Sequence, residues 1–247
     1  MRNSIWFIIF VLVIGCKTAP SKPPTAQKIV DLSIVNSGGE LRKKSTISFS
    51  FRGNKYAQTL YNGKKSMSRT LLQQDTVIVD QVSGTDFVRT INDQLVSVSD
   101  SLQKVYSNSI NSVHYFANLP YGLNDVAVIK EFVGEVIIGN ESYFVVSVHF
   151  KKAGGGDDYD DVYRYWIHKE RFTVDYLAYT FTVSGGGIRF RKAIQPKYVK
   201  GIRFVNYENY APLSTSTLES VAHDFEHGKL KLLSTIEIAN IDVTLLN

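Results

Sequence analysis

Three arginines are the residues of this sequence best placed to do chemistry. Gly187-Ile188-Arg189-Phe190-Arg191 and Gly201-Ile202-Arg203-Phe204 repeat one phrase across what reads as a hairpin, and strand alternation puts Arg189 and Arg191 on the same face. Guanidinium groups gathered there would take up a carboxylate or phosphate, which a planar fork binds better than a lysine does. Asp175, on the preceding strand, would be their resting partner. The same charges, with Glu208, also fit a cross-strand ion-pair ladder that binds nothing. Beside them runs an aromatic strip of Tyr163, Tyr165, Trp166, Tyr176, Tyr179, Phe181 and Tyr207. It reads either as core or as the lining of an apolar pocket with hydroxyl groups at its mouth. The candidate ligand-binding set is therefore Arg189, Arg191, Arg203, Asp175, Tyr163, Tyr165, Trp166, Tyr179 and Tyr207.

Other constellations carry less. In His223-Asp224-Phe225-Glu226-His227 the histidines have the i, i+4 spacing of helical zinc sites, but the metalloprotease motif has glutamate where Asp224 stands. No third ligand follows, and both histidines lie opposite the apolar Leu218, Val221 and Phe225. Asp157, Asp158, Asp160 and Asp161 sit in a glycine-rich loop without EF-hand spacing, which reads as a solvated hairpin tip. His114, His149 and His168 are isolated, and no serine occupies a nucleophile elbow. No catalytic residue, metal ligand or cofactor is assigned on this basis. An envelope hydrolase or metal-dependent enzyme that uses Asp175 with the tyrosines, or the His223 and His227 pair, is kept as an alternative.

The N-terminus reads as an address. Arg2 precedes ten apolar residues, Ile5 to Ile14, and then Gly15 and Cys16. A membrane-spanning helix needs about 20 apolar residues to cross about 30 Å of hydrocarbon, so this run has the length of a cleaved signal. Val13-Ile14-Gly15-Cys16 resembles the bacterial lipobox. That resemblance implies a signal peptide over residues 1–15, and acylation of Cys16, with palmitate among its chains, after cleavage. Lys17 to Gln27 holds three prolines and no aromatic residue, so residues 16–27 are expected to be a lipidated cysteine with a flexible tether. Lys17 follows Cys16 with no acidic run. By likeness to lipoprotein sorting signals, this implies the outer membrane, facing the periplasm.

The remaining 28–247 must supply whatever positions the arginines and tyrosines. With 247 residues, 44% of them hydrophobic and 21% charged, the chain is neither disordered nor collagenous nor polytopic, and one compact domain is expected. A single cysteine excludes an internal disulfide. The net charge of +5 is spread among acidic residues, which argues against a nucleic-acid partner.

Ala26 to Asn36 carries a helical apolar pattern stopped by Ser37-Gly38-Gly39. From Thr46 to Val98 the period is two, with short runs parted by pairs such as Asn62-Gly63 and Asn92-Asp93, so hairpins are expected. Ser99 to Leu119 returns to helical spacing through Leu102, Val105, Ile110 and Val113. Seven more strands follow, ending with one over Leu230 to Val243, and a short helix with a Ser216 and Glu219 capping box precedes the last. Several strands are apolar on both faces, Tyr163 to Ile167 among them, so both faces of the sheet must be covered. The expectation is a mainly β fold. It consists of a strongly curved antiparallel sheet, a half-barrel or open barrel, with about three helices, some on its concave face.

Asn111 to Pro120, Gly154-Gly155-Gly156-Asp157, Tyr163 to Ile167, Asp175 to Tyr179, Gly187 to Arg191 and Gly201 to Phe204 resemble a Bacteroidetes-type envelope lipoprotein family of unassigned function. That family is distantly similar to the half-barrel lipoprotein carriers and receptors. The resemblance implies a lipid-anchored periplasmic protein, in contact with the membrane through its anchor, that binds a hydrophobic or amphiphilic molecule without catalysis. A structural lipoprotein docked to an envelope complex is the remaining alternative.

Overall fold

The computed structural model describes residues 23–153, 160–182 and 185–247. The expected signal segment, Cys16, Gly154 to Gly156, Asp157 and Asp158 lie outside the described residues. Helix α1 spans Ala26–Asn36, the bounds expected from its apolar spacing, because Thr25 caps it by accepting a 3.2 Å hydrogen bond from the Lys28 amide. Gly38 then turns the chain in the left-handed conformation (φ +79°) into a single-turn helix α2, Gly39–Arg42. A Cβ at Gly38 would stand 2.3 Å from the Gly201 carbonyl oxygen, so only glycine lets this corner close on the sheet.

The first sheet begins as an uninterrupted meander of β1 (Ser45–Phe51), β2 (Asn54–Tyr61), β3 (Lys64–Gln73), β4 (Thr76–Ser83), β5 (Asp86–Ile91) and β6 (Gln94–Val96). The two-residue turns Arg52-Gly53, Asn62-Gly63 and Asn92-Asp93 have positive φ at both positions, the geometry that matches strand twist in tight hairpins. Helix α3 (Asp100–Ala117) follows, then β7 (Val128–Ile138), β8 (Glu141–Phe150), β9 (Tyr163–His168), β10 (Val174–Phe181), β11 (Gly187–Val199) and β12 (Ile202–Pro212). After helix α4 (Val221–Glu226) come β13 (Leu230–Ile236) and β14 (Ala239–Leu245).

All neighbours pair antiparallel in two open seven-stranded sheets, ordered β14-β1-β2-β3-β4-β5-β6 and β13-β12-β11-β10-β9-β8-β7. Neither sheet closes into a barrel. Register shifts in β7, β10, β11 and β13 mark bulges that bend the second sheet. The mainly β, open, antiparallel expectation therefore holds, with the strands divided between two sheets.

That division corrects the single strand expected over Leu230 to Val243. Its first half pairs with β12 and its second with β1, and Glu237-Ile238 carries the chain from one sheet to the other. Ile238 is buried at this seam, and its amide donates to the Asn206 Oδ1 at 3.0 Å, which satisfies a backbone group that has left the ladder.

Both faces of the second sheet are covered. On the inner face Val146, Val148, Tyr165, Ile167 and Leu177 pack under Ile29 and Val30 of α1 and Leu123. On the outer face Val145, Trp166, Ala178 and Phe190 pack under Leu218 and Val221. Arg164 fastens α4's approach by donating to the Leu218 carbonyl (3.0 Å) and to Glu219 (2.9 Å). Glu219 is thus unavailable for the capping box expected with Ser216, and α4 starts only at Val221. Ser216 and Ser220 instead donate to Asp224, at 2.7 and 3.0 Å. Helix α3 lies on the first sheet. It buries Ile110 and His114 and leaves the expected Leu102 and Val105 exposed.

Candidate functional site

The register of three strands assembles the centre of the site. Tyr179 of β10 lies opposite Tyr163 of β9 on one side and Arg189 of β11 on the other, and Leu177 lies likewise between Tyr165 and Arg191. Alternation points all six to the inner face, toward α3. There α3 presents Ser109, Ser112, Val113, Phe116 and Ala117, whose spacing of three and four places them on one helical stripe. Helix and sheet do not meet fully along this stripe, and a cavity of about 500 Å³ remains between them, within the range of small-molecule sites.

Its walls are aromatic and aliphatic. Tyr163 and Tyr179 stack with ring centres 5.3 Å apart, and Phe116 closes on Tyr179 from α3 at 5.6 Å. Val205, Tyr207 and Ile236 continue the sheet wall, and Ile238 closes it at the seam. Phe51 and Arg52 reach in from the β1–β2 turn, so the first sheet contributes as well.

The cavity also carries polar groups, the hydroxyls of Ser109, Ser112 and Thr182 among them, and a set of charges. Arg189, Arg191 and Arg52 line it, with Asp161 the carboxylate among its described residues. The guanidinium of Arg191 lies 3.9 Å from the centre of the Phe116 ring and 5.2 Å from that of Tyr179, and its Nη2 donates to the Tyr179 hydroxyl at 2.9 Å. Its Nε is buried with no hydrogen-bond partner among the described residues. Arg189 lies over Phe181 at 4.5 Å and, among the described residues, donates only to a backbone carbonyl, that of Ile188, at 3.1 Å. Burial pushes the Tyr207 phenol up to about 12, against the opposing pull of Arg203 and Arg191, so it stays a neutral hydroxyl.

Five of the nine residues singled out from the sequence therefore come together: Arg189, Arg191, Tyr163, Tyr179 and Tyr207. Tyr165 lies deeper on the same face, its hydroxyl bonded to that of Tyr115, and burial holds both phenols well above their ordinary range. Trp166 points to the outer face and packs on Phe190 at 5.6 Å. Asp175 pairs with Arg203 at 3.4 Å and with Arg171 at 3.3 Å, away from the cavity. The ion-pair reading thus describes Arg203, whereas Arg189 and Arg191 are paired with no carboxylate among the described residues.

Sequence reasoning missed Phe116 and Arg52, which are brought in from α3 and a distant hairpin. The left-handed φ of +48° at Arg52 aims it there, and nothing local in the sequence marks the pairing with β10 and β11.

The histidines take structural places. His114 is buried on α3 between Phe49 and Tyr56, with ring centres at 5.7 and 5.8 Å, and burial pushes it down to about 4. His168 accepts from the Glu170 and Arg171 amides through Nδ1, each at 3.1 Å, so its Nε2 proton faces Glu141 at 2.7 Å. His223 and His227 stack on each other in solvent with ring centres 3.9 Å apart. Among the described residues no three metal-ligating side chains converge, and no helix is long and apolar enough to cross a membrane.

The chain belongs to a family of unknown function, DUF6503, whose model matches residues 28–238. It is similar in structure to a LolA superfamily protein from Nitrosomonas europaea, at 12% identity and a TM-score of 0.49, over 91% of this chain and 94% of that one. It is also similar to a domain described as an outer membrane lipoprotein-sorting protein from Vibrio parahaemolyticus, at 7% identity and a TM-score of 0.46, over 89% and 93%. A third likeness is to a DUF1329 family protein from Desulfovibrio piger, at 10% identity and a TM-score of 0.40, over 87% and 92%. No curated protein matches the sequence.

Proposed function

We propose that this DUF6503 protein is a non-catalytic binding protein of the bacterial cell envelope that holds a hydrophobic or amphiphilic molecule between α3 and the inner face of the second sheet. The observation that carries the reading is the cavity of about 500 Å³, walled by Tyr163, Tyr179, Phe116, Val205 and Ile238 in a region where the neighbouring core is closely packed. Apolar surface held open in this way costs stability unless something fills it, and each buried methylene of a guest contributes about 0.8 kcal/mol.

The lipobox-like Val13 to Cys16 supports the second half of the proposal, in which acylated Cys16 tethers the domain to the outer membrane on its periplasmic side. The proline-bearing stretch that precedes α1 would give the domain reach without contact between cavity and bilayer.

The test is mass spectrometry of the full chain extracted natively from its own membranes. A co-purifying lipid or other amphiphile in near-stoichiometric amount is expected. It should be lost when Ala117→Trp fills the cavity while the circular dichroism spectrum is unchanged. A full chain that carries nothing, and whose stability responds to no added amphiphile, would remove the proposal.

A further inference from the structure

We infer that the guest of this cavity carries an anionic headgroup, a carboxylate or phosphate, and that Arg191 is its receptor; this rests on the proposed binding function and specifies its ligand class. The described chain buries four arginines to nine-tenths or more: Arg42, Arg164, Arg191 and Arg203. Arg164 is paired with Glu219 and Arg203 with Asp175. Arg42 is packed against Phe204 and hydrogen-bonded to Asn118, and it does not line the cavity.

Arg191 alone of the four faces open space. It is 9% exposed, donates to the Tyr179 hydroxyl and, among the described residues, has no partner for its Nε and no counter-ion. A desolvated cation so placed is costly, and a charge-assisted bond to an anion removes that cost.

Geometry specifies the rest of the guest. Phe116 and Tyr179 lie against the guanidinium and the Tyr179 hydroxyl takes one Nη2 proton, so the remaining Nη protons are what a ligand would meet. Arg189 stands two residues along the same strand and face, and Arg52 reaches the cavity from the opposite sheet. Against these three cations the cavity sets one carboxylate among its described residues, Asp161, so the excess of positive charge disfavours a cationic guest. From Arg191 the wall runs through Tyr207 and Val205 to Ile236 and Ile238, a surface for an acyl or other apolar chain and not for a second polar group. An anionic head held by Arg191, with an apolar tail directed to the seam between the sheets, satisfies both halves of the lining.

The experiment measures binding to the full chain in one non-ionic detergent, with decanoate, decanol and decylammonium as probes of equal tail length, and with acetate and inorganic phosphate as headgroups without a tail. Decanoate should bind at least tenfold more tightly than decanol, decylammonium should bind weakest, and acetate and phosphate should bind far more weakly than decanoate. Arg191→Gln should bring decanoate to the affinity of decanol while decanol binding is unchanged, which also shows that the variant is folded.

Equal affinity for the three tailed probes would overturn the headgroup assignment and leave the proposed function standing. So would selectivity for decanoate that survives in Arg191→Gln. Acetate or phosphate binding as tightly as decanoate would assign Arg191 to a free anion and not to an amphiphile. Binding of none of the tailed probes would overturn the proposed function together with this inference.

Discussion

The guanidinium carbon of Arg191 stands 3.9 Å from the centre of the Phe116 ring, so the last turn of α3 is held to the second sheet through the charged group that the cavity offers a ligand. A cation over an aromatic face contributes about 0.5–2 kcal/mol. Phe116→Ala removes that contact and part of an aromatic wall, and is expected to lower stability by about 2–3 kcal/mol. Anionic amphiphile binding should weaken severalfold in the same variant. Chemical denaturation and ligand titration, done in parallel, check both effects.

Cys16→Ser removes the sulfur that the lipobox-like segment would present for acylation. The variant should retain its unprocessed N-terminus and fail to incorporate labelled palmitate. Unaltered processing and labelling would count against the anchor.

Gly38 lets the α1–α2 corner approach the Lys200-Gly201 turn, and the Arg203 amide donates to the Ser37 carbonyl at 3.2 Å beside it. Alanine there must both hold φ near +79° and move a backbone oxygen that lies 2.3 Å from its Cβ. A loss of about 2–4 kcal/mol is expected from strain and lost packing. Gly53→Ala, at the same φ of +79° but with open space around it, should cost about 1 kcal/mol. The difference between the two, read from thermal melts, isolates the close approach.

Asp80 is fully buried under α3 and bonded to both Arg69 (2.7 Å) and Arg89 (2.6 Å). Burial opposes its ionisation, but the hydrogen bonds from Arg89 and Arg69 outweigh that and hold its pKa below the ordinary carboxylate value. A depressed acid stabilises above its unfolded pKa and loses that contribution as pH falls through the folded one, so the loss belongs below pH ~4. Asp80→Asn leaves two guanidiniums facing a neutral amide and should cost about 3 kcal/mol at neutral pH.

His114 acts in a different window. Because burial lowers it from 6.5 to about 4, the unfolded chain binds a proton in that interval that the folded chain refuses. Stability should therefore rise with pH between about 4 and 6.5, by on the order of 2–3 kcal/mol across the interval. Denaturation midpoints measured every half unit of pH test this, and His114→Phe should flatten the slope in that interval while leaving the Asp80 loss below it.

Much of the architecture was legible because it is local. The bounds of α1 follow from a threonine cap and apolar spacing, and the first-sheet hairpins from pairs such as Asn62-Gly63 that accept positive φ. Period-two alternation already set Tyr163 and Tyr165 on one face and Trp166 on the other. The break at Glu237-Ile238 was not legible. Apolar residues run through it without glycine or proline, and only pairing with two different partners separates β13 from β14. The Ser216 capping box failed for a similar reason, since Arg164, from a strand far away in the chain, claims Glu219.

The candidate site divides along the same line. The amino-acid order by itself determined that arginines and tyrosines share a strand face, because side-chain direction in a strand depends on nothing beyond its immediate neighbours. Which arginine found a carboxylate and which was left against a cavity was decided by tertiary structure alone. Asp175 reaches Arg203 but not Arg191, and α3 brings Phe116 to the guanidinium that remains. Burial and charge pairing depend on elements far apart in the chain, and no local pattern encodes the distance between them.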